Sequence, residues 1–103
     1  MAQSAMYQLG RRVRAARKRT TLSQAAFAEK CGIDRLYLGR IELGKQNPTV
    51  AILMRIALEA DTDAATLLAG IVVDPEEVRA LPRPMQRMRS QLTQPIKTVI
   101  SEG

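Results

Sequence analysis

The chain of 103 residues contains no histidine, no tryptophan and only one cysteine, Cys31. A single cysteine excludes an internal disulfide, and without histidine neither a zinc site nor any other metal centre is expected. No apolar run reaches the roughly 18 residues of a transmembrane helix, and the N-terminus lacks the apolar core of a signal peptide. We therefore expect a soluble, cytoplasmic protein. We also expect no enzymatic activity and no cofactor, because no nucleophile has a plausible base.

Aromatic residues are scarce, at 3% of the chain, although 46% of it is hydrophobic. The core must therefore consist mainly of aliphatic side chains, a composition that favours helices over sheets. We predict an all-α fold.

Positive charge is concentrated in two parts of the sequence. The net charge is +6, with +7 in residues 1–45, −5 in residues 46–77 and +4 in residues 78–103. A concentrated positive potential attracts polyanions such as nucleic acids and speeds their encounter. The alternative is a basic surface that only keeps the protein soluble.

Apolar periodicity and capping signals predict five helices. They are expected at about residues 6–18, 24–31, 34–43 and 49–60, with a short fifth helix after Asp63. Gly32 and Gly44 are expected to end the second and third helices, because glycine accepts turn conformations that a Cβ resists. The predicted inward-facing residues are Leu9, Val13, Ala16, Phe27, Ala28, Cys31, Ile33, Leu38, Ile41, Val50, Leu53, Ile56 and Ala57.

The character of the sequence changes after Gly70. A short β-prone run at 71–73 is followed by Asp74-Pro75-Glu76-Glu77, which is a strong helix start. Three later prolines limit any further element to about ten residues, and apolar spacing predicts an amphipathic helix at about 84–93. We assign residues 6–70 to one domain and residues 71–103 to an extension for dimerisation or partner binding. The candidate dimer surface comprises Ile71, Val72, Val73, Met85, Met88 and Leu92.

The fourth helix carries more apolar residues than one inward face requires. Ile52, Met54 and Leu58 lie partly off the inward stripe. They are either buried more deeply within the monomer, under the C-terminal segment, or form part of a dimer interface, since large exposed apolar patches are rare on monomers.

Four segments of the chain resemble the lambda-repressor-like, Cro-type helix–turn–helix family, also called XRE. They are LGRRVRAARK, LSQAAFAEKCGI, DRLYLGRIELGKQNP and VAILMRIALEADTDAATLL. The resemblance covers about residues 9–68. It implies a five-helix lambda-repressor-like DNA-binding domain, here with a short C-terminal extension, that binds double-stranded DNA. Members of the family usually bind as dimers on a two-fold symmetric operator.

The resemblance also implies roles for individual residues. On the third helix, the positions that face base edges are occupied by Arg35, Leu36, Tyr37 and Arg40, although Tyr37 could instead pack against the second helix. The positions that contact phosphates are occupied by Gln24, Lys45, Gln46 and Asn47. Arg17 and Glu42 match a structural ion pair between the first and third helices.

The third helix departs from the family pattern at Gly39, where a small polar residue is common. Glycine in the middle of a helix costs about 1 kcal/mol relative to alanine. The close approach of a backbone or a phosphate is one interpretation of this glycine. Leu43 also replaces a frequent polar residue, which removes a possible hydrogen bond to phosphate.

These features predict a sequence-specific transcriptional regulator, in particular a repressor that binds its operator as a homodimer. The alternative function is the antitoxin of a toxin–antitoxin pair. Such a protein would autoregulate its operon through the same domain and bind a toxin through its C-terminal segment.

Overall fold

The computed structural model describes residues 4–82, and this part of the chain forms six α-helices. They are α1 (Ala5–Arg19), α2 (Gln24–Cys31), α3 (Arg35–Glu42), α4 (Val50–Glu59), α5 (Ala64–Leu68) and α6 (Pro75–Ala80). The all-α class is confirmed, and α1 to α5 correspond to the five predicted helices. The sixth begins at the predicted start after Asp74, whereas the helix predicted at 84–93 lies outside the described residues. Within residues 4–82, no helix is long and apolar enough to cross a membrane.

Every helix begins after a polar residue whose side chain accepts a hydrogen bond from a backbone N–H group of the first turn. These residues are Ser4, Ser23, Asp34, Thr49, Asp63 and Asp74. The N–H groups of a first turn have no partner within the helix, so such caps stabilise each start, typically by about 1 kcal/mol. Short polar side chains therefore fix the helix boundaries in this chain.

The core lies between α1 and the four helices that follow it. Its largest fully buried side chains are Phe27, Leu38, Ile41, Ile56, Val13 and Cys31. Ile33 is half-buried and packs against this cluster. With one aromatic ring among aliphatic side chains, the core has the composition expected from the sequence.

The prediction that Val50 faces inward is wrong, because 68% of this residue is exposed. At 3.6 residues per turn, Val50 lies roughly 70° from the centre of the arc formed by the buried residues of α4. It lies on the same side as Met54 and Leu58, which are 57% and 73% exposed. We call Val50, Met54 and Leu58 the α4 apolar stripe.

Two glycines allow α1 to lie directly on the C-terminal end of α3. A Cβ at Gly10 would lie 2.6 Å from the main-chain oxygen of Glu42. Gly44 has a φ of +77°, and a Cβ there would lie 2.7 Å from the Cα of Tyr7. Backbone meets backbone at both points, so α1 fixes the end of α3 and the start of the next loop.

The first residues after Gly70 are attached to the N-terminal end of α1. The side-chain amide of Gln8 donates to the Val72 carbonyl at 2.8 Å and accepts from the Val72 N–H at 3.0 Å. The carboxylate of Glu77 accepts from the backbone N–H of Ala5 at 3.1 Å. The β-prone run forms no strand within the described residues; the Val72 backbone bonds to Gln8, and the Ile71 N–H donates to the Leu68 carbonyl. Whether a domain boundary falls at residue 70 stays a prediction.

Candidate nucleic-acid interface

The third helix has one buried side and one exposed side. Leu38, Ile41 and Glu42 are buried, and the first two belong to the core. The exposed side carries Arg35, Leu36, Arg40 and, at the C-terminal end, Leu43. Leu36 is 71% exposed, so its side chain is accessible to a binding partner.

The four residues predicted to contact bases differ in how freely they can do so. Arg35, Leu36 and Arg40 are exposed, whereas Tyr37 is half-buried and packs against the core. Arg35 has no hydrogen bond or ion pair with any residue of the described range. The packing of Tyr37 against the core favours the alternative that this ring is partly structural, although the alternative named packing against the second helix.

A buried ion pair joins α1 to α3. The guanidinium of Arg17 donates from Nε to Oε2 of Glu42 at 2.7 Å and from Nη2 to Oε1 at 3.1 Å. Its Nη1 donates to the Leu22 carbonyl at 3.0 Å, so the group is also tied to the segment before α2. A bidentate pair of this kind is geometrically specific, and its two charges compensate each other. The two residues predicted as an ion pair therefore lie in one.

Gln24, predicted to contact a phosphate, is connected to the same pair. Its Nε2 donates to Oε1 of Glu42 at 3.0 Å, and the residue is half-buried. A side-chain amide has two N–H donors. One is used by Glu42, so the other is available to an anion at the N-terminus of α2, where free backbone N–H groups add to the attraction.

A cleft of about 360 Å³ opens beside this network, between α1, α2 and α3. Its lining includes Arg14, Gln24, Gly39 and Leu43. Arg14 is exposed and has no hydrogen-bond partner within residues 4–82. The sequence left open whether the arginines of α1, Arg14 among them, contact phosphates or are ordinary surface residues. Its position beside Gln24 depends on how α1 packs against α2 and α3, which no local pattern specifies.

No contact within residues 4–82 requires glycine at position 39. A Cβ there would meet only the side-chain amide of Gln24, at 3.6 to 4.0 Å, which is ordinary van der Waals contact. The backbone is helical at this point and its φ is not positive. If a close neighbour explains Gly39, that neighbour is not another part of the described chain.

The loop after α3 folds back towards Arg40. With Gly44 in the left-handed conformation, the backbone N–H of Lys45 donates to the Arg40 carbonyl at 2.8 Å. The Arg40 side chain in turn donates from Nε to Oε1 of Gln46 at 3.3 Å and from Nη2 to the Lys45 carbonyl at 3.4 Å. Lys45 and Asn47 are exposed and Gln46 is half-buried. A predicted base-contacting residue and two predicted phosphate-contacting residues thus lie together.

Several other arginines have structural contacts. Arg12 donates to the carbonyls of Thr66 and Leu67, both at 3.3 Å, at the end of α5. Arg55 donates to the Cys31 carbonyl at 2.9 Å, at the end of α2. Cations at helix C-termini are favourable because unpaired carbonyls and the helix dipole are negative there. Part of the basic charge therefore stabilises helices, and Arg14, Arg35 and Arg40 remain near α3.

Cys31 takes no part in this surface. Burial raises the pKa of its thiol to about 11, and the nearby carboxylate of Glu59 adds to the effect. The thiolate that metal binding or redox chemistry needs is therefore absent near neutral pH. Within residues 4–82, no cluster of acidic residues and cysteine is arranged to hold a metal ion.

A helix–turn–helix family model matches residues 13–66, which is more than half of the chain. The chain belongs to the lambda-repressor-like helix–turn–helix family. Members of this family are DNA-binding transcriptional regulators of the all-α class, and this chain is one of them. The model spans α2, the turn at Gly32 and α3, together with the helices that support them.

Solved structures of helix–turn–helix proteins have the same fold. The restriction-modification controller protein C.AhdI from Aeromonas hydrophila is 31% identical with a TM-score of 0.58, over 60% of this chain and 94% of its own. An HTH_3-family transcriptional regulator from Vibrio cholerae is 30% identical with a TM-score of 0.58, over 70% of this chain and 39% of its own. A chain of the SinR–SinI complex is 25% identical with a TM-score of 0.59, over 82% of this chain and 93% of its own. No curated protein matches the chain significantly.

Proposed function

We propose that this helix–turn–helix protein is a sequence-specific repressor that binds a two-fold symmetric operator as a homodimer. The observation that carries the proposal is the exposed side of α3, where Arg35, Leu36 and Arg40 are accessible beside residues that we predict to contact phosphates. In a helix–turn–helix, the second helix of the motif enters the major groove and its exposed residues contact base edges. Occupying a promoter in this way would block transcription.

The side chains on α3 suit the contacts that distinguish base pairs. Arginine can donate two hydrogen bonds to O6 and N7 of guanine, and a leucine can contact the methyl group of thymine. Arg35 and Arg40 would form the first kind of contact and Leu36 the second. Tyr37 would contribute less, because its ring is already partly packed.

Phosphate contacts would hold α3 in register on the duplex. Gln24 and Arg14 lie on one side of α3, along the cleft, and Lys45 and Asn47 lie in the loop after it. Contacts of this kind carry little sequence information but fix the orientation of the protein. Affinity for any duplex should consequently fall steeply as the salt concentration rises.

Recognition of two half-sites requires two copies of the chain, with recognition helices about 34 Å apart. The α4 apolar stripe is the candidate interface, because its three side chains are exposed and share one face of a helix. Of the surface predicted from the sequence, Val72 and Val73 are also exposed, whereas Ile71 is half-buried against the core. Met85, Met88 and Leu92 lie outside the described residues.

A binding experiment tests the base contacts. Arg40→Ala should lose about 1–3 kcal/mol of discrimination between an operator selected from a random library and a random duplex. Lys45→Ala, a neighbouring loss of one positive charge, should weaken both complexes equally and lower the salt slope by about 1. If Arg40→Ala kept the wild-type ratio of the two affinities, the assignment of Arg40 to base contact would be wrong.

A second candidate function is that of an antitoxin or another regulator that is itself bound by a protein. It is favoured by the exposed apolar residues away from α3 and by the similarity to SinR, whose structure was solved with SinI. Purification of the native protein with a stoichiometric second chain would favour it. Recovery of homodimers alone would favour the repressor.

A further inference from the structure

We propose that Gln46 is a positioning residue for Arg40, one that couples a phosphate contact to the recognition of a base. This inference rests on the proposed function, since it presupposes that Arg40 contacts a base pair. Gln46 was expected to contact phosphate only. The structure also places its side chain against the guanidinium of Arg40, a contact across the turn at Gly44 that the sequence pattern did not reveal.

The loop occupies one side of the Arg40 guanidinium and leaves another side open. Nε donates to Oε1 of Gln46 and Nη2 donates to the Lys45 carbonyl, so the edge formed by Nε and Nη2 faces the loop. A guanidinium has five N–H donors in a fixed plane. The remaining donors, on Nη1 and Nη2, include the parallel pair at the end of the side chain. That pair matches O6 and N7 of a guanine.

The amide of Gln46 can serve two partners at once. Its Oε1 accepts from Arg40, and the two N–H donors on its Nε2 have no partner within residues 4–82. Gln46 is half-buried, whereas its neighbours Lys45 and Asn47 are exposed, so its side chain is the most restrained of the three. A phosphate bound by Nε2 would fix the amide, and the fixed Oε1 would fix the direction of Arg40.

The consequence concerns specificity more than affinity. An exposed arginine adopts many rotamers, and ordering it on binding opposes complex formation. A side chain that is already oriented by its neighbours loses less freedom and rejects geometries that do not fit. Without the acceptor on Gln46, the Arg40 guanidinium could turn to the nearest phosphate of any duplex.

Two substitutions distinguish the role of the Gln46 acceptor, Oε1, from the role of its donor, Nε2. Gln46→Lys keeps a donor for phosphate and removes the acceptor for Arg40. Gln46→Glu keeps the acceptor, removes the donor and adds a negative charge near the duplex. Dissociation constants are measured for both variants and for the wild type, with the selected operator and with a random duplex of the same length. Thermal unfolding of each free variant verifies that the fold is retained.

For Gln46→Lys we expect an unchanged or higher affinity for the random duplex and a ratio of the two affinities lowered by about fivefold or more. For Gln46→Glu we expect weaker binding of both duplexes with the ratio preserved, because a carboxylate holds the Arg40 guanidinium more strongly than an amide oxygen does and needs no phosphate to fix it. If both variants changed the two affinities by equal factors, Gln46 would be a phosphate contact alone and the inference would be overturned. A lower ratio in Gln46→Glu would also overturn it, because the acceptor would then not be the group that matters.

A third comparison separates this inference from the function on which it rests. In an Arg40→Ala background, Gln46→Lys should leave the ratio unchanged, since no guanidinium remains to be oriented. A wild-type protein that failed to distinguish the operator from random DNA would contradict the proposed function itself. Discrimination that depended on Arg40 but not on Gln46 would contradict only the positioning role.

Discussion

Individual glycines in this chain have different structural roles, although the sequence presents them alike. Gly10 lies where α1 meets the main chain of α3, and a Cβ there would collide with backbone carbonyls. Gly44 has a positive φ and also touches the backbone of Tyr7. Gly39 has neither constraint, because among the described residues a Cβ would meet only the flexible amide of Gln24. Its cost to the helix therefore has no compensation within residues 4–82.

This difference predicts opposite effects for the same substitution in two helices. Gly39→Ala should raise the free energy of unfolding by about 1 kcal/mol, because alanine has the better helix propensity and the space exists. Gly10→Ala should lower it, by about 1–3 kcal/mol, because α1 must move away from α3. Urea-induced unfolding of the DNA-free proteins measures both values. A loss of stability in Gly39→Ala would show that the site is tighter than the distances indicate.

The contact between Arg40 and Gln46 shows where prediction from sequence stops at this scale. Both residues were expected at a DNA-binding surface, because the segment matches a family motif. Their contact depends on the left-handed turn at Gly44, which brings a residue six positions later back beside the helix. Helical periodicity ends at that turn and carries no information across it. The position of Arg14 beside Gln24 was missed for a similar reason, since it depends on packing between helices.

At the scale of elements, the sequence predicted α1 to α5 well because each has inward-facing apolar residues and a polar cap, whereas α6, which has no buried residue, was indicated by its start signal alone. The six capping residues lie directly before the six helices. Whether a residue at the end of a helix is buried or exposed was harder to predict, as Val50 shows. This residue lies at the edge of the buried arc of α4, where a periodic pattern alone does not decide between core and solvent. The run at 71–73 has β-prone side chains but forms no strand within residues 4–82, where the backbone of Val72 bonds to the side chain of Gln8.

The contact between α1 and α3 depends on the Arg17–Glu42 pair as well as on Gly10. Arg17→Met should lower the free energy of unfolding by about 3–5 kcal/mol, because it leaves the Glu42 carboxylate buried without its partner. The double variant Arg17→Met/Glu42→Leu should recover most of this loss, because no uncompensated charge remains. Chemical denaturation of the two single variants and the double variant gives the coupling energy. If the loss of unfolding free energy in the double variant equalled the sum of the losses in the two single variants, the two side chains would not act as a pair.

At the scale of the whole molecule, charge and apolar surface are distributed differently along the chain. The helices α1 to α3 and the following loop hold most of the positive charge, whereas residues 46–77 carry a net charge of −5. The α4 apolar stripe belongs to this acidic part, which a polyanion would not approach. An apolar face in such a region is better suited to a protein than to DNA. We therefore expect the DNA-binding and dimer-forming surfaces to be separable by substitution.

Met54 is the middle residue of the α4 apolar stripe, and a charge there should prevent two copies from packing together. Met54→Glu should shift the protein from dimer to monomer in sedimentation experiments, because a carboxylate would lose its hydration in the interface. Operator affinity should then fall more than affinity for a single half-site, since the second half-site no longer adds to binding.

Val78→Glu is the matched control, because Val78 is an exposed apolar residue of α6, 49% exposed, that lies outside the stripe. This variant should remain dimeric and bind the operator as the wild type does. If Met54→Glu stayed dimeric and Val78→Glu became monomeric, the interface would lie in the C-terminal extension, as the candidate surface from the sequence predicted. A chain ending at Pro82 keeps the bonds of Val72 and Glu77 to α1, so it tests the contribution of the later residues without removing those contacts.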